Sequence, residues 1–169
     1  MKNLITKPKA LLNKFFGLLF IAFLISCTKE KKEEPIVISS EVLHNSIDKI
    51  VEIMIHDIFS PPVASRIFAY PNIAAYEIIA QVNPDYQSLS GQITDLKPIP
   101  KLDTVQGVNP QLASLIAHMN ISRQLIFSED KFDVLQDSLF NVWKTKNETE
   151  FEASKAYGLK VAEHIKGWM

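Results

Sequence analysis

The sequence predicts an all-α fold of about five helices packed around a buried central helix. Three observations predict it. From Ser39 onward the apolar residues recur with helical spacing, and no run alternates with period two for long enough to form a strand. Serine, asparagine and proline also stand where helices need caps and first turns.

Ser39 and Ser40 can cap a first helix from about Glu41 to Phe59. Its apolar stripe is Leu43, Ile47, Ile50, Met54 and Ile58, flanked by Val51 and Ile55, with Asp48, Lys49 and Glu52 on the wet side. Ser60-Pro61-Pro62 ends that helix and starts the next, because proline cannot continue a helix but suits its first turn. The second helix, Pro61 to Ala80, has only Arg66 and Glu77 as charges, so it reads as the buried central element, with a kink at Pro71. Residues 81–109, with Asn83-Pro84, Ser90-Gly91, Pro98, Pro100 and Gly107, form a long connection of the kind that is functional or laid over a surface. Asn109-Pro110 opens a third helix to about Phe127, with Leu112, Leu115, Ile116 and Met119 inward. Ser128 caps a fourth to about Lys144, with Glu129 and Asp130 suiting the positive end of its dipole. Asn147 to Glu150 has capping-box spacing for a fifth, with Phe151, Leu159, Ala162 and Ile165 inward.

Charge and composition narrow the function classes. The chain has 169 residues, 18 Lys+Arg against 19 Asp+Glu, and one cysteine. A near-zero net charge gives no reason to expect a nucleic-acid partner, and one cysteine excludes a disulfide scaffold. The first 26 residues hold four lysines and no acid, which leaves 14 basic against 19 acidic residues from Cys27 onward.

The leader has a Lys-rich start, then eleven uncharged residues from Phe15 to Ile25, then Ser26-Cys27. That is the layout of a secretion signal, and the apolar run is short of the ~20 residues that span a bilayer. Leu24-Ile25-Ser26-Cys27 resembles the lipobox of bacterial lipoproteins, which makes Cys27 the expected lipid attachment site. A plain secretory signal with a chance cysteine is the alternative. The organisation expected is therefore a lipoprotein signal peptide over 1–26, a tether over 27–38 and an all-helical domain over 39–169. The expected place is the bacterial cell envelope, lipid-anchored to a membrane outside the cytoplasm.

Few residues suggest chemistry. His44, His56, His118 and His164 are scattered, one motif of Glu-x-x-His spacing at Glu41 to His44 is too little for a di-iron site, and no metal site is expected. Solvated or structurally bonded histidines are the reading. Arg66 stands out, as a cation near the positive end of the most apolar helix. It is read as a structural pair with Asp57, as bonded to carbonyls of the preceding helix end, or as an anion contact completed by other residues.

The run from His56 to Tyr70, HDIFSPPVASRIFAY, continued by Asn72-Ile73-Ala74-Ala75-Tyr76-Glu77, resembles the amino-terminal region of lipoproteins in the vanadium-dependent haloperoxidase and type 2 phosphatidic acid phosphatase superfamily. Asn83-Pro84-Asp85-Tyr86, Leu89 to Gln92, Phe127 to Lys131, Ala156-Tyr157-Gly158 and Trp168 support the likeness, which covers essentially the whole mature chain. The resemblance implies an all-helical enzyme whose amino-terminal helices pack against a later catalytic bundle. The oxyanion motifs of that family are a Lys followed by Arg-Pro, then Pro-Ser-Gly-His, then Ser-Arg with a His after five residues. This sequence has no Arg-Pro and no Pro-Ser-Gly-His, and Ser65-Arg66 and Ser122-Arg123 are followed at that spacing by Asn72 and Glu129. No catalytic residue carries over, and the chain reads as a truncated or split member.

Two function classes follow. One is the membrane-tethered helical part of a phosphatase or haloperoxidase, inactive alone, with no cofactor of its own and vanadate or phosphate bound only with a catalytic half. The other is a self-sufficient helical lipoprotein acting as a binding or assembly module. The partners expected are a membrane, through the lipid anchor, and a separate catalytic half or a second copy.

Overall fold

The described residues are 33–102 and 105–169 of a computed structural model. The predicted signal peptide, Cys27 and the tether as far as Lys32 lie outside them. Five α-helices carry the fold: α1 Ser40–His56, α2 Pro61–Ala80, α3 Pro110–Gln124, α4 Glu129–Lys146 and α5 Glu148–Trp168. Among the described residues there is no strand, only an isolated bridge between Ser90 and Ile93. The all-α expectation holds.

Helices α1, α3 and α5 run one way, and α2 and α4 return. At one end Leu43 of α1 shares a small cavity with Ser114 and Leu115 of α3, and the Asn109 amide donates to Ser154 Oγ of α5 at 2.8 Å. At the other end Asp57, just past α1, bonds the start of α4.

Local chemistry sets the helix starts. Asn109 Oδ1 accepts from the Leu112 amide and Asn147 Oδ1 from the Glu150 amide, each satisfying a donor that the first turn leaves unpaired. The predicted capping box at α5 is only half formed. Glu150 does not reach back to Asn147; its carboxylate accepts from the Ile36 amide at 2.7 Å and from Asn109 Nδ2 at 3.0 Å. Asn109 Nδ2 also donates to the Ile36 carbonyl, so the extended segment before α1 is clasped at the start of α3 and α5.

The most buried helix is α3, not α2. Ten of the fifteen α3 residues are buried, against five of twenty in α2. The two flanks of α3 divide the core between them. Leu112, Leu115, Ile116 and Met119 join Ile50, Ile53, Phe132 and Phe151, whereas Ala113, Ala117 and Ile121 join Ala74, Ile78, Tyr157 and Val161. Helix α2 buries Ile67, Pro71, Ala74 and Ile78 and leaves Pro62, Val63 and Ala69 exposed. Its apolar composition shows what it is able to bury, whereas coverage depends on neighbours. It also continues as one helix through Pro71.

Helices α3 and α5 meet closely at Gly158, where a Cβ would stand 2.7 Å from the Ala113 carbonyl oxygen and 3.2 Å from Ile116 Cβ. The long connection lies over α2 and α5. Leu96 and Ile99 are buried in the second cluster, and Gln81 ties the connection down, donating to Tyr157 Oη and accepting from the Leu102 amide.

The predicted stripe of α1 is corrected at its end. Ile55 is exposed on the outer side of the helix, next to buried Ile53 and Met54, and Ile58 is exposed because the helix stops at His56 rather than continuing to Phe59. The Phe59 amide donates to the Met54 carbonyl and the Ile58 amide to the Ile55 carbonyl, with Ile58 at φ +57°. This is a Schellman ending with a β-branched residue where glycine is the usual choice.

Candidate functional site

Arg66 is on the outer side of α2, exposed to solvent, and among the described residues it makes no ion pair. The expected pairing with Asp57 does not form, and neither does bonding to the preceding helix end. Asp57 is occupied elsewhere: its carboxylate accepts from the Phe127 amide at 2.9 Å, the Ser128 amide at 3.0 Å and Ser128 Oγ at 2.5 Å. Solvent removes the need for a partner that burial would have imposed on Arg66. Of the three readings of this residue, only the anion contact stays open.

The junction around Asp57 joins three helix ends. Desolvation raises the Asp57 pKa, but the bonds from Ser128 and Phe127 outweigh it and hold the carboxyl below its ordinary range. Ser128 is the α4 N-cap by position, yet its hydroxyl is turned to Asp57 and not to its own helix. Phe59 and Phe127 pack beside this clamp with ring centroids 4.8 Å apart. The sequence marks the place only through Asp57 standing just before Ser60-Pro61, since Ser128 is 71 residues away.

Another basic group near this end, Arg123, is engaged by two carboxylates. Its guanidinium forms a two-pronged pair with Asp133, Nε at 2.5 Å and Nη2 at 3.0 Å, and pairs with Glu129. The hydrogen bonds to Asp133 raise its pKa against an opposing desolvation.

His118 departs from the sequence reading at one of its ring nitrogens. It is 3% exposed, and its Nδ1 has no hydrogen-bond partner, as is true of the buried hydroxyls of Ser46 and Ser122. Burial alone pushes the imidazole down to about 4, so it is neutral at ordinary pH. His44 and His56 are exposed, and the His164 ring meets the Lys97 carbonyl at 3.1 Å. Among the described residues no group of three or more His, Cys, Asp and Glu could hold a metal ion.

Glu77 is a buried polar anchor that the sequence did not reveal. It is 1% exposed and accepts from Ser88 Oγ and the Leu89 amide, both at 2.6 Å, so it fixes the entry of the long connection. Its only sequence signal was a lone acid on an apolar helix.

These side chains do not fit a vanadate or phosphate ion. Holding such an oxyanion takes several convergent donors, with a base beside any nucleophile. Here Arg66 stands apart, Arg123 is neutralised by two carboxylates, and the buried histidine is enclosed. What this end of the bundle does offer is contact area. Ile55, Ile58 and Phe127 are exposed together beside the Asp57 clamp.

No protein-family profile and no curated protein matches the chain. A solved structure does: the crystal structure of a protein described as the first bacterial vanadium-dependent iodoperoxidase, with 60% sequence identity and a TM-score of 0.80. The match covers 82% of this chain and 33% of that one. The chain thus spans about a third of the length of the protein it matches, and it is homologous to part of a vanadium iodoperoxidase fold.

Proposed function

We propose that residues 39–169 are the helical platform of a lipid-anchored protein of the vanadium haloperoxidase and phosphatidic acid phosphatase type, against which a catalytic part packs. The observation that carries this reading is the 60% identity confined to a third of the iodoperoxidase chain. The absence of Arg-Pro and Pro-Ser-Gly-His from these 169 residues supports it. So does the lack of any convergent oxyanion donors among the described side chains. In this reading the platform supplies rigidity, through the α3 core and the Asp57 and Glu150 clasps, and the catalytic part supplies the anion site. Cys27 carries the lipid, and the chain sits at the cell envelope outside the cytoplasm.

The test is activity with and without the catalytic part. Mature chain from Cys27 should show neither vanadate-dependent halide oxidation nor phosphatase activity on a chromogenic ester. Co-production with a polypeptide bearing the Arg-Pro and Pro-Ser-Gly-His motifs should give a complex with one of them. Turnover by the purified chain alone that disappears in an Arg66→Ala variant would reject the proposal.

A second reading, a self-sufficient binding or assembly module, draws on the closed core. Both apolar clusters are completed by the chain's own helices and connection. Failure to find any stable complex with a motif-bearing polypeptide would favour it.

A further inference from the structure

We propose that the exposed apolar corner made by Ile55, Ile58, Val63 and Phe127 is the face on which the catalytic part docks. This rests on the platform reading and adds the place of contact.

The four side chains are 74%, 88%, 40% and 78% exposed. They stand around one helix junction, where α1 ends, α2 begins and α4 begins. The Ile58 amide bonds the Ile55 carbonyl at 3.3 Å, the Val63 amide bonds the Ser60 carbonyl at 3.0 Å, and Asp57 holds the Phe127 amide at 2.9 Å. None of the four belongs to either core cluster, so the bundle closes without them. Scattered apolar side chains on a surface are ordinary, whereas large ones gathered at a single corner mark a contact site. Ile58 adds to this. It occupies a left-handed position that glycine fills without strain, and it presents a branched apolar side chain there.

The homology supplies the occupant. Two thirds of the iodoperoxidase chain lies outside the match, so in that protein the part similar to this one is joined to a larger polypeptide. A lipid surface is the poorer occupant. The N-terminal segment is clasped to Glu150 and Asn109 at the opposite end of the bundle. Helix α1, with 17 residues, separates the two ends by roughly 25 Å. The segment that leads back to Cys27 therefore enters the fold at the end away from the corner.

Photo-crosslinking in the native cells tests this. p-Benzoylphenylalanine would replace Phe127, and in a separate variant Val142, which is 60% exposed on α4 near the other end. Adducts would be identified by mass spectrometry. Position 127 should capture a peptide from the polypeptide region that carries the Arg-Pro and Pro-Ser-Gly-His motifs, and position 142 should not. Ile58→Asp, at an exposed site, should leave the melting midpoint nearly unchanged and cut the yield at position 127 at least fivefold. Capture of a second copy of this chain, or of lipid, at position 127 would overturn the proposal. Capture of the motif-bearing region from position 142 alone would overturn the docking place and leave the platform reading standing. Capture of that region from neither position would overturn both.

Discussion

Asp57 and Ser128, 71 residues apart, are joined by two hydrogen bonds, with Ser128 Oγ donating at 2.5 Å and its amide at 3.0 Å. The end of α1 thereby caps the start of α4, as a negative charge placed at the positive end of a helix dipole. The bonds favour the ionised carboxyl, so the Asp57 pKa is lowered in the folded state despite the opposing desolvation. A depressed carboxyl pKa gives stability that is present above the unfolded value of 3.8 and is lost as pH falls through the folded value. Asp57→Asn should therefore lower the melting midpoint at pH 7 and flatten the loss of stability below about pH 4. Circular-dichroism melts across that range measure both effects. An unchanged midpoint and acid limb would show that the clamp adds nothing.

His118 should make the fold sensitive to milder acid. Burial depresses its pKa from 6.5 to about 4, so the unfolded chain binds the proton more readily than the folded one. Stability is then complete above about pH 6.5 and falls as the pH drops toward 4, by about 3 kcal/mol in all. Urea titrations at pH 7 and pH 4.5 should resolve the change. A His118→Phe variant should lose most of the pH dependence between those points.

Ala74→Asp should be among the most damaging substitutions, because Ala74 is 0% exposed in the core shared with Tyr157 and Val161. An unpaired charge there faces a desolvation cost of several kcal/mol. Ala69→Asp, on the exposed side of the same helix, should cost less than about 1 kcal/mol. Equal melting midpoints for the two variants would contradict the orientation of α2.

Gly158→Ala tests the α3–α5 contact. The added methyl meets a backbone oxygen at 2.7 Å, and neither helix can yield without disturbing its neighbours. The usual gain from replacing a helical glycine, about 1 kcal/mol, should be reversed into a net loss of about 1–3 kcal/mol. Gly167→Ala, with open space around it, should keep the gain.

Cys27→Ala should release the protein from membranes or block its maturation, because two or more hydrocarbon chains make attachment stable. Fractionation of cells and mass spectrometry of the mature N-terminus check this. An unmodified Cys27 in a mature protein that begins at another residue would reject lipidation.

What the sequence determined by itself is the set of helices. Pro61 and Ala80 bound α2 as read, Asn109 and Asn147 cap α3 and α5, and Leu112, Leu115, Ile116 and Met119 point inward. The missing oxyanion motifs were equally legible. These features depend on residues within about one helical turn of each other, or on the plain order of residue types. Tertiary structure alone decided which helix is central and what each polar group does. Helix α2 looked central because it is apolar all round, yet α3 is the helix enclosed between α2 and α5. Glu150 left its predicted cap for Ile36, 114 residues away, and Asp57 turned from Arg66 to Ser128. Ile58 kept helical spacing with Met54 but fell outside the core when α1 ended at His56. Burial and pairing are properties of the neighbours that packing brings together, and local spacing carries no information about which distant segment will arrive.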